Sequence, residues 1–197
     1  MTTTDRSIEP LVPRPKRADA QRNYKKVLAA AREAFAEGGE STSLEEIARR
    51  AGVGIGTLYR NFPNRQALLE ALYVDEVEAI SRAAAELDNG GDPWDALIGW
   101  FERFIGYIAT KRALAGELLN YLEPDAPLFA GCRASLFAAG EPLLTRAQEA
   151  GVVRRDVTIG DVMQMVIAIS KIPTSEPGQV EHLVRIGLDG LRYSPQP

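Results

Sequence analysis

The stretch Ser43-Leu44-Glu45-Glu46-Ile47-Ala48-Arg49-Arg50-Ala51-Gly52-Val53-Gly54-Ile55-Gly56-Thr57-Leu58-Tyr59-Arg60-Asn61-Phe62-Pro63-Asn64-Arg65 reads as two short helices joined by a glycine turn. Leu44, Ile47, Ala48 and Ala51 recur at i, i+3, i+4 and i+7, a single apolar stripe. Ser43 followed three residues later by Glu46 has the pattern of a capping box, which starts the first helix at Leu44. Gly52 falls just past the stripe, where helices commonly end in a left-handed conformation that glycine adopts at least cost. Val53 plugs the corner, and a second helix begins near Gly54 or Ile55. Leu58 and Phe62, four apart, turn inward; Thr57, Arg60 and Asn61 face out, with Tyr59 at the edge. Pro63 removes a backbone donor and stops the helix. This is the layout of a helix-turn-helix, whose second helix enters a DNA major groove.

Gly52, Gly54 and Gly56 also invite comparison with a dinucleotide-binding glycine loop. That fingerprint requires a strand before it and a β-α-β unit around it. A helical stripe precedes it here, so the comparison fails.

Val27-Leu28-Ala29-Ala30-Ala31, Phe35, Leu44 to Ala48, Ala51-Gly52-Val53 and Gly56 to Phe62 form an ordered set around this stretch. Through it, residues from about Arg22 to Tyr73 resemble the DNA-binding domain of the TetR family of bacterial transcriptional regulators. The resemblance covers about a quarter of the chain. It departs from the family at Asn61, where histidine is most common; asparagine still offers a donor for phosphate.

Charge divides along the same line. Residues 1–65 hold 12 Lys+Arg against 8 Asp+Glu, a net of +4, whereas the remainder carries −8 of the overall −4. A basic excess at the helix-turn-helix is what attraction to phosphate requires. The acidic remainder would be repelled by DNA. No apolar run approaches the length that spans a bilayer, and the polar, proline-bearing N-terminus does not read as a signal peptide. Cys132, the one cysteine, excludes an internal disulfide and fits a reducing, cytoplasmic setting.

The expected architecture is all-α, with a helix-turn-helix domain at 19–66 and a helical regulatory and dimerisation domain at 67–197. Residues 1–18 lack periodicity and read as a disordered basic arm carrying Arg14, Lys16 and Arg17, either a solvated tail or an arm that touches DNA. A bracing helix is predicted from about Ala20 to Glu37, ended by Gly38-Gly39. Asn64 caps a long helix running to about Leu87. Trp94 to Ile108 stripe a further helix, and a separate shorter one is predicted over Ala113 to Leu122. Others follow over Leu128 to Ala150, Ile159 to Ile172 and Val180 to Leu191.

For base reading the candidates are Ile55, Gly56, Thr57 and Arg60. Arg60 can pair with a guanine edge, or contact phosphate only. Gly56 permits close backbone approach, and Ile55 and Thr57 can meet a thymine methyl. Ser43, Tyr59, Asn61 and Arg65 are expected to anchor phosphates. For Tyr59, Asn61 and Arg65 this is what the family resemblance implies, while Ser43 either caps its helix, contacts phosphate, or does both.

Ile159 to Ile172 is apolar on more than one side, and Gly187 and Gly190 permit close packing in the last helix. Met165, Ile169, Leu183, Gly187 and Leu191 are therefore candidates for a homodimer interface, which the resemblance places in a four-helix bundle; an intrachain core is the alternative. Trp100, Phe101, Phe104, Tyr107, Tyr121, Phe129, Phe137 and Met163 are candidates to line a small-molecule pocket, or else to fill a core.

His182 is the lone histidine and has no partner in view. Neither a metal-ligand spacing nor a nucleophile elbow is present. The expectation is a non-enzymatic regulator, without cofactor or metal, whose partners are a palindromic operator in double-stranded DNA, a second copy of itself and a small ligand. The competing class is a helical ligand-binding or enzymatic protein that has lost DNA binding. Retention on DNA at low salt separates the two.

Overall fold

The computed structural model describes residues 14–38, 41–173 and 176–192, and among these described residues the alternation of apolar stripes with capping residues becomes eight α-helices. They are α1 (Ala18–Gly38), α2 (Leu44–Ala51), α3 (Ile55–Asn61), α4 (Arg65–Leu87), α5 (Pro93–Leu118), α6 (Pro127–Glu149), α7 (Ile159–Ile169) and α8 (Gln179–Asp189). The described residues contain no strand beyond an isolated antiparallel bridge between Val153 and Arg192. The all-α expectation holds.

Local signals account for the ends. Asn64 accepts from the Ala67 amide at 2.8 Å and opens α4. Gly151, at φ 71°, ends the last turn after α6 in a left-handed conformation. Thr158 and Asp161 exchange hydrogen bonds in a full capping box at the start of α7. One expectation is corrected: the helices predicted over Trp94 to Ile108 and Ala113 to Leu122 are a single helix, α5. Thr110 and Lys111 interrupt the apolar stripe there, but neither glycine nor proline breaks the backbone. Of the predicted arm, residues 1–13 lie outside the described residues. Lys16 and Arg17 are exposed, and Arg14 sits 3.6 Å from Asp75 of α4.

The chain divides into two compact units that do not follow a cut at 66/67. The first comprises residues up to Glu76 with Thr110–Cys132, and the second Val77–Ala109 with the residues from Arg133. Helices α4, α5 and α6 each contribute to both, because each is long enough to outrun one core.

In the first unit, Val27, Leu28, Ala31 and Phe35 of α1 are buried with Ile47 and Ala48 of α2, Leu58 of α3, and Phe62. The Tyr24 and Phe62 rings lie 4.9 Å apart. Arg32 of α1 donates to both Glu76 and Asp75 of α4, the latter at 3.1 Å. Burial of this apolar face holds α2 and α3, each too short to persist alone.

In the second unit, Trp100, Phe101, Phe104 and Tyr107 form a buried aromatic ladder along α5, with successive centroids 5.0 to 6.2 Å apart. Trp100 Nε1 donates to the Ile80 carbonyl at 3.2 Å. Gly140 of α6 lies so close that an added Cβ would stand 2.6 Å from the Trp100 ring. Gly187 of α8 lets Met165 and Ile169 of α7 approach to 3.3 Å of the same position.

Candidate nucleic-acid interface

Each short helix of the reading motif has a local cause. Ser43 Oγ accepts from the Glu46 amide at 3.1 Å and caps α2. The reciprocal half of the predicted box is replaced: the Glu46 carboxylate accepts from Arg49 at 2.7 and 2.9 Å and from Arg50 at 2.7 Å. These bonds, Arg50's foremost, hold the Glu46 carboxyl below its ordinary pKa. Arg50, also paired with Glu37, has its own pKa raised. Gly52 adopts φ 65°, ψ 34°, and the chain turns as expected. The Val53 amide then reaches back to the Ala48 carbonyl at 3.0 Å.

Helix α3 follows with Leu58 fully buried, and Phe62 closes the core behind it. Ile55, Gly56, Tyr59 and Arg60 are exposed, while Thr57 and Asn61 are half-buried. The four base-reading candidates thus fall on one short helix backed by its own core. Arg60 Nη2 donates to Thr57 Oγ1 at 2.9 Å. Asn61 Nδ2 donates to the Thr57 carbonyl at 2.8 Å, which uses one of its two amide hydrogens.

Arg65 stands apart from the other anchoring candidates. Its side chain is half-buried, its guanidinium lies 4.8 Å above the Phe35 ring, and it donates to Glu117 and to the Thr42 carbonyl. The resemblance implied a phosphate contact for this residue; in the structure Nε, Nη1 and Nη2 each donate inside the protein. Sequence reasoning did not pair Glu117 with Arg65, because nothing local links residues 52 positions apart. Arg49 and Arg50 were missed too, although the i, i+3 and i, i+4 spacing from Glu46 is a readable signal.

The ligand-pocket candidates separate. Trp100, Phe101, Phe104, Tyr107 and Met163 are buried in the second unit, packed as core. Phe129 belongs to the first unit, where its ring meets Tyr73 edge-on at 5.5 Å. Tyr121 and Phe137 are corrections: at 46% and 37% exposure they lie on the surface, the former in the turn after α5 and the latter on the outer side of α6. A cavity of ≈ 260 Å³ instead lies on the opposite face of α5, between Ile98, Glu102 and Ile105 and the α8 residues Glu181, Val184, Arg185 and Leu188.

Among the dimer candidates, Met165, Ile169, Leu183 and Gly187 are half-buried, whereas Leu191 is buried within its own unit and offers no surface. Ile186 of α8 and Ile172 just after α7, which the candidate set did not single out, are large apolar side chains exposed among the described residues. No helix among the described residues is long and apolar enough to cross a membrane.

Comparison with known proteins bears on most of the chain. Residues 27–72 match the profile of the bacterial regulatory proteins of the tetR family, and residues 92–193 match that of the C-terminal domain of SbtR-like transcriptional regulators. The chain is 37% identical to a TetR transcriptional regulator of Streptomyces coelicolor of known crystal structure, with a TM-score of 0.77, over 87% of this chain and 99% of that one. For a TetR transcription regulatory protein of Mycobacterium vanbaalenii the figures are 35% and 0.74, over 91% of this chain and 100% of the other. The TetC protein of transposon Tn10 from Escherichia coli is 34% identical over 93 residues, 45% of this chain and 46% of that protein. The chain therefore spans about half the length of that curated relative.

Proposed function

This chain belongs to the TetR family of DNA-binding bacterial regulators, and from that premise we propose that it is a homodimeric repressor of a two-fold symmetric operator. In this reading each protomer lays α3 in a major groove, and the two half-sites are spaced by the protein's own symmetry. One observation carries it: Ile55, Gly56, Tyr59 and Arg60 stand exposed on a helix whose inner side, Leu58, is fully buried. An exposed isoleucine and tyrosine flanking an arginine make a surface suited to base edges and phosphates.

Pairing through α7 and α8 is supported by Ile172 and Ile186, whose exposed side chains flank the half-buried Met165, Ile169 and Leu183. Effector control is supported by the cavity between α5 and α8, in the region matched by the C-terminal family profile. Buried Val184 and Leu188 with exposed Glu102, Glu181 and Arg185 suit a small amphipathic molecule. Its volume falls just short of the usual range of about 300–1,000 Å³ for drug-sized ligands. Release requires that such a molecule bind the DNA-free arrangement more tightly than the DNA-bound one.

The test is selection of bound duplexes from a random DNA pool by the full-length protein, with Arg60→Ala alongside. A two-fold symmetric consensus is expected. An absence of enrichment even at low salt, where phosphate contacts are strongest, would overturn the reading.

A further inference from the structure

Arg65 opens α4 at the point where the chain leaves the reading motif, yet its guanidinium faces protein on three sides. Nε and Nη2 both donate to Glu117 Oε2, at 3.1 and 2.6 Å. Nη1 donates to the Thr42 carbonyl. The ring of Phe35 lies beneath the guanidinium at 4.8 Å. Glu117, in the last turn of α5, is only 6% exposed. Thr42 is buried too; its hydroxyl donates to the Ala34 carbonyl of α1 at 2.9 Å, and its carbonyl immediately precedes Ser43, the cap of α2.

We propose that Glu117 and Arg65 are a positioning pair for DNA reading, in which the Glu117 carboxylate aims the Arg65 guanidinium so that it fixes the start of α2. The inference goes beyond the helix-turn-helix, because it makes operator affinity depend on a carboxylate far outside that motif. The physical reason is the cost of the alternative. If Arg65 swung out to a phosphate, Glu117 would be left charged, buried and unpaired, and removing one partner of a buried pair is strongly unfavourable. The Thr42 carbonyl would lose its donor in the same movement. A planar guanidinium serves both partners at once through a rigid fork of donors and stacks on Phe35, a geometry that an ammonium does not reproduce.

The test measures operator affinity of the full-length protein across a salt series, using the selected duplex. Glu117→Gln is expected to weaken binding about five- to tenfold, the lower part of the usual coupling range. The slope of log affinity against log salt stays unchanged, since no phosphate contact is lost. Arg65→Lys, which keeps a charge able to grip phosphate, is expected to weaken binding similarly, and the double variant to lose little more. Three results would overturn the pair: tighter binding by Glu117→Gln with a slope steeper by about one, retained affinity in Arg65→Lys, or strictly additive losses. Amide exchange at Glu46 and Ile47 gives a readout independent of DNA. Faster exchange there in Glu117→Gln is expected, and unchanged exchange overturns the proposal. If the wild-type protein binds no DNA at all, the repressor reading fails while the exchange measurement still decides the pair.

Discussion

Arg60 and Thr57 share the outward side of α3, one turn apart, and the arginine donates to the threonine hydroxyl at 2.9 Å. The charged tip of this base-reading candidate is thus steadied by a neighbour in the same group. The Arg60→Ala variant should relax operator preference at one position in each half-site, costing about 1–3 kcal/mol of discrimination there. Uniform weakening across all sequences, in a binding titration against single-base variants, would show a phosphate contact instead.

Two glycines of the reading motif should separate stability from DNA affinity. Gly52 adopts φ 65° with nothing within 4 Å of an added Cβ, so Gly52→Ala pays for backbone conformation alone, about 1–2 kcal/mol, visible as a lower melting temperature. Gly56 is exposed in α3 without positive φ and with equal room. Gly56→Ala is expected to melt no lower than wild type but to bind operator more weakly, because the methyl stands where the backbone would approach the groove. Equal melting of both variants would contradict this account.

Overpacking should be sharply felt at Gly140. An alanine there meets the Trp100 ring at 2.6 and 2.8 Å and Ile159 Cδ1 at 2.9 Å, and the indole is fully buried and hydrogen-bonded. Gly140→Ala is expected to cost about 1–3 kcal/mol in denaturant unfolding. Gly106→Ala in α5, exposed and with open space around it, serves as a control expected to be neutral or better.

Acid should remove the cap of α7. The Thr158 hydroxyl and amide donate to Asp161 Oδ2 at 2.7 and 2.8 Å, and these bonds hold the Asp161 carboxyl below its ordinary value. A carboxylate with a lower pKa in the folded state stabilises it above the unfolded value and loses that effect as pH falls through the folded one. Wild type should melt higher than Asp161→Asn at neutral pH, and the gap should close below about pH 4. A gap constant down to strong acid would mean that charge plays no part in the cap.

Ile186, 55% exposed on α8, should matter only when two chains meet. Ile186→Glu is expected to leave the helical content unchanged while shifting sedimentation from dimer to monomer. The same variant should weaken operator binding steeply, because a two-fold site is read by both copies. A dimer that survives the substitution would place the pairing surface elsewhere.

The elements that could be read beforehand are those with causes within a few residues. Ser43, Gly52, Pro63 and Asn64 each mark a helix end through their own backbone or side chain, and all four did so where expected. The apolar stripes likewise reported burial correctly at Leu58, Phe62 and Phe101. What depended on distant partners was not readable. An arginine at 65 offers the same pattern whether it meets a phosphate or Glu117, 52 residues on. Aromatic spacing along α5 says that Trp100, Phe101 and Phe104 face inward. Whether they meet each other or a void depends on Gly140 and its neighbours on α6. Tyr121 and Phe137 failed for a related reason, since aromatic character alone does not say on which side of its element a ring falls.

Helices α4, α5 and α6 each lend residues to both compact units, so neither unit is a continuous stretch of chain. The DNA-reading body is therefore no detachable cassette. A hybrid made by splicing residues 1–66 onto another regulator would carry α3 intact but leave Glu117 behind, and Arg65 would meet whatever side chain the host supplied. Under the proposed reading, point changes on the outer side of α3 would retarget the operator without disturbing this pair. Shuffling whole segments would require the host to match a buried carboxylate that no alignment of the reading motif reveals.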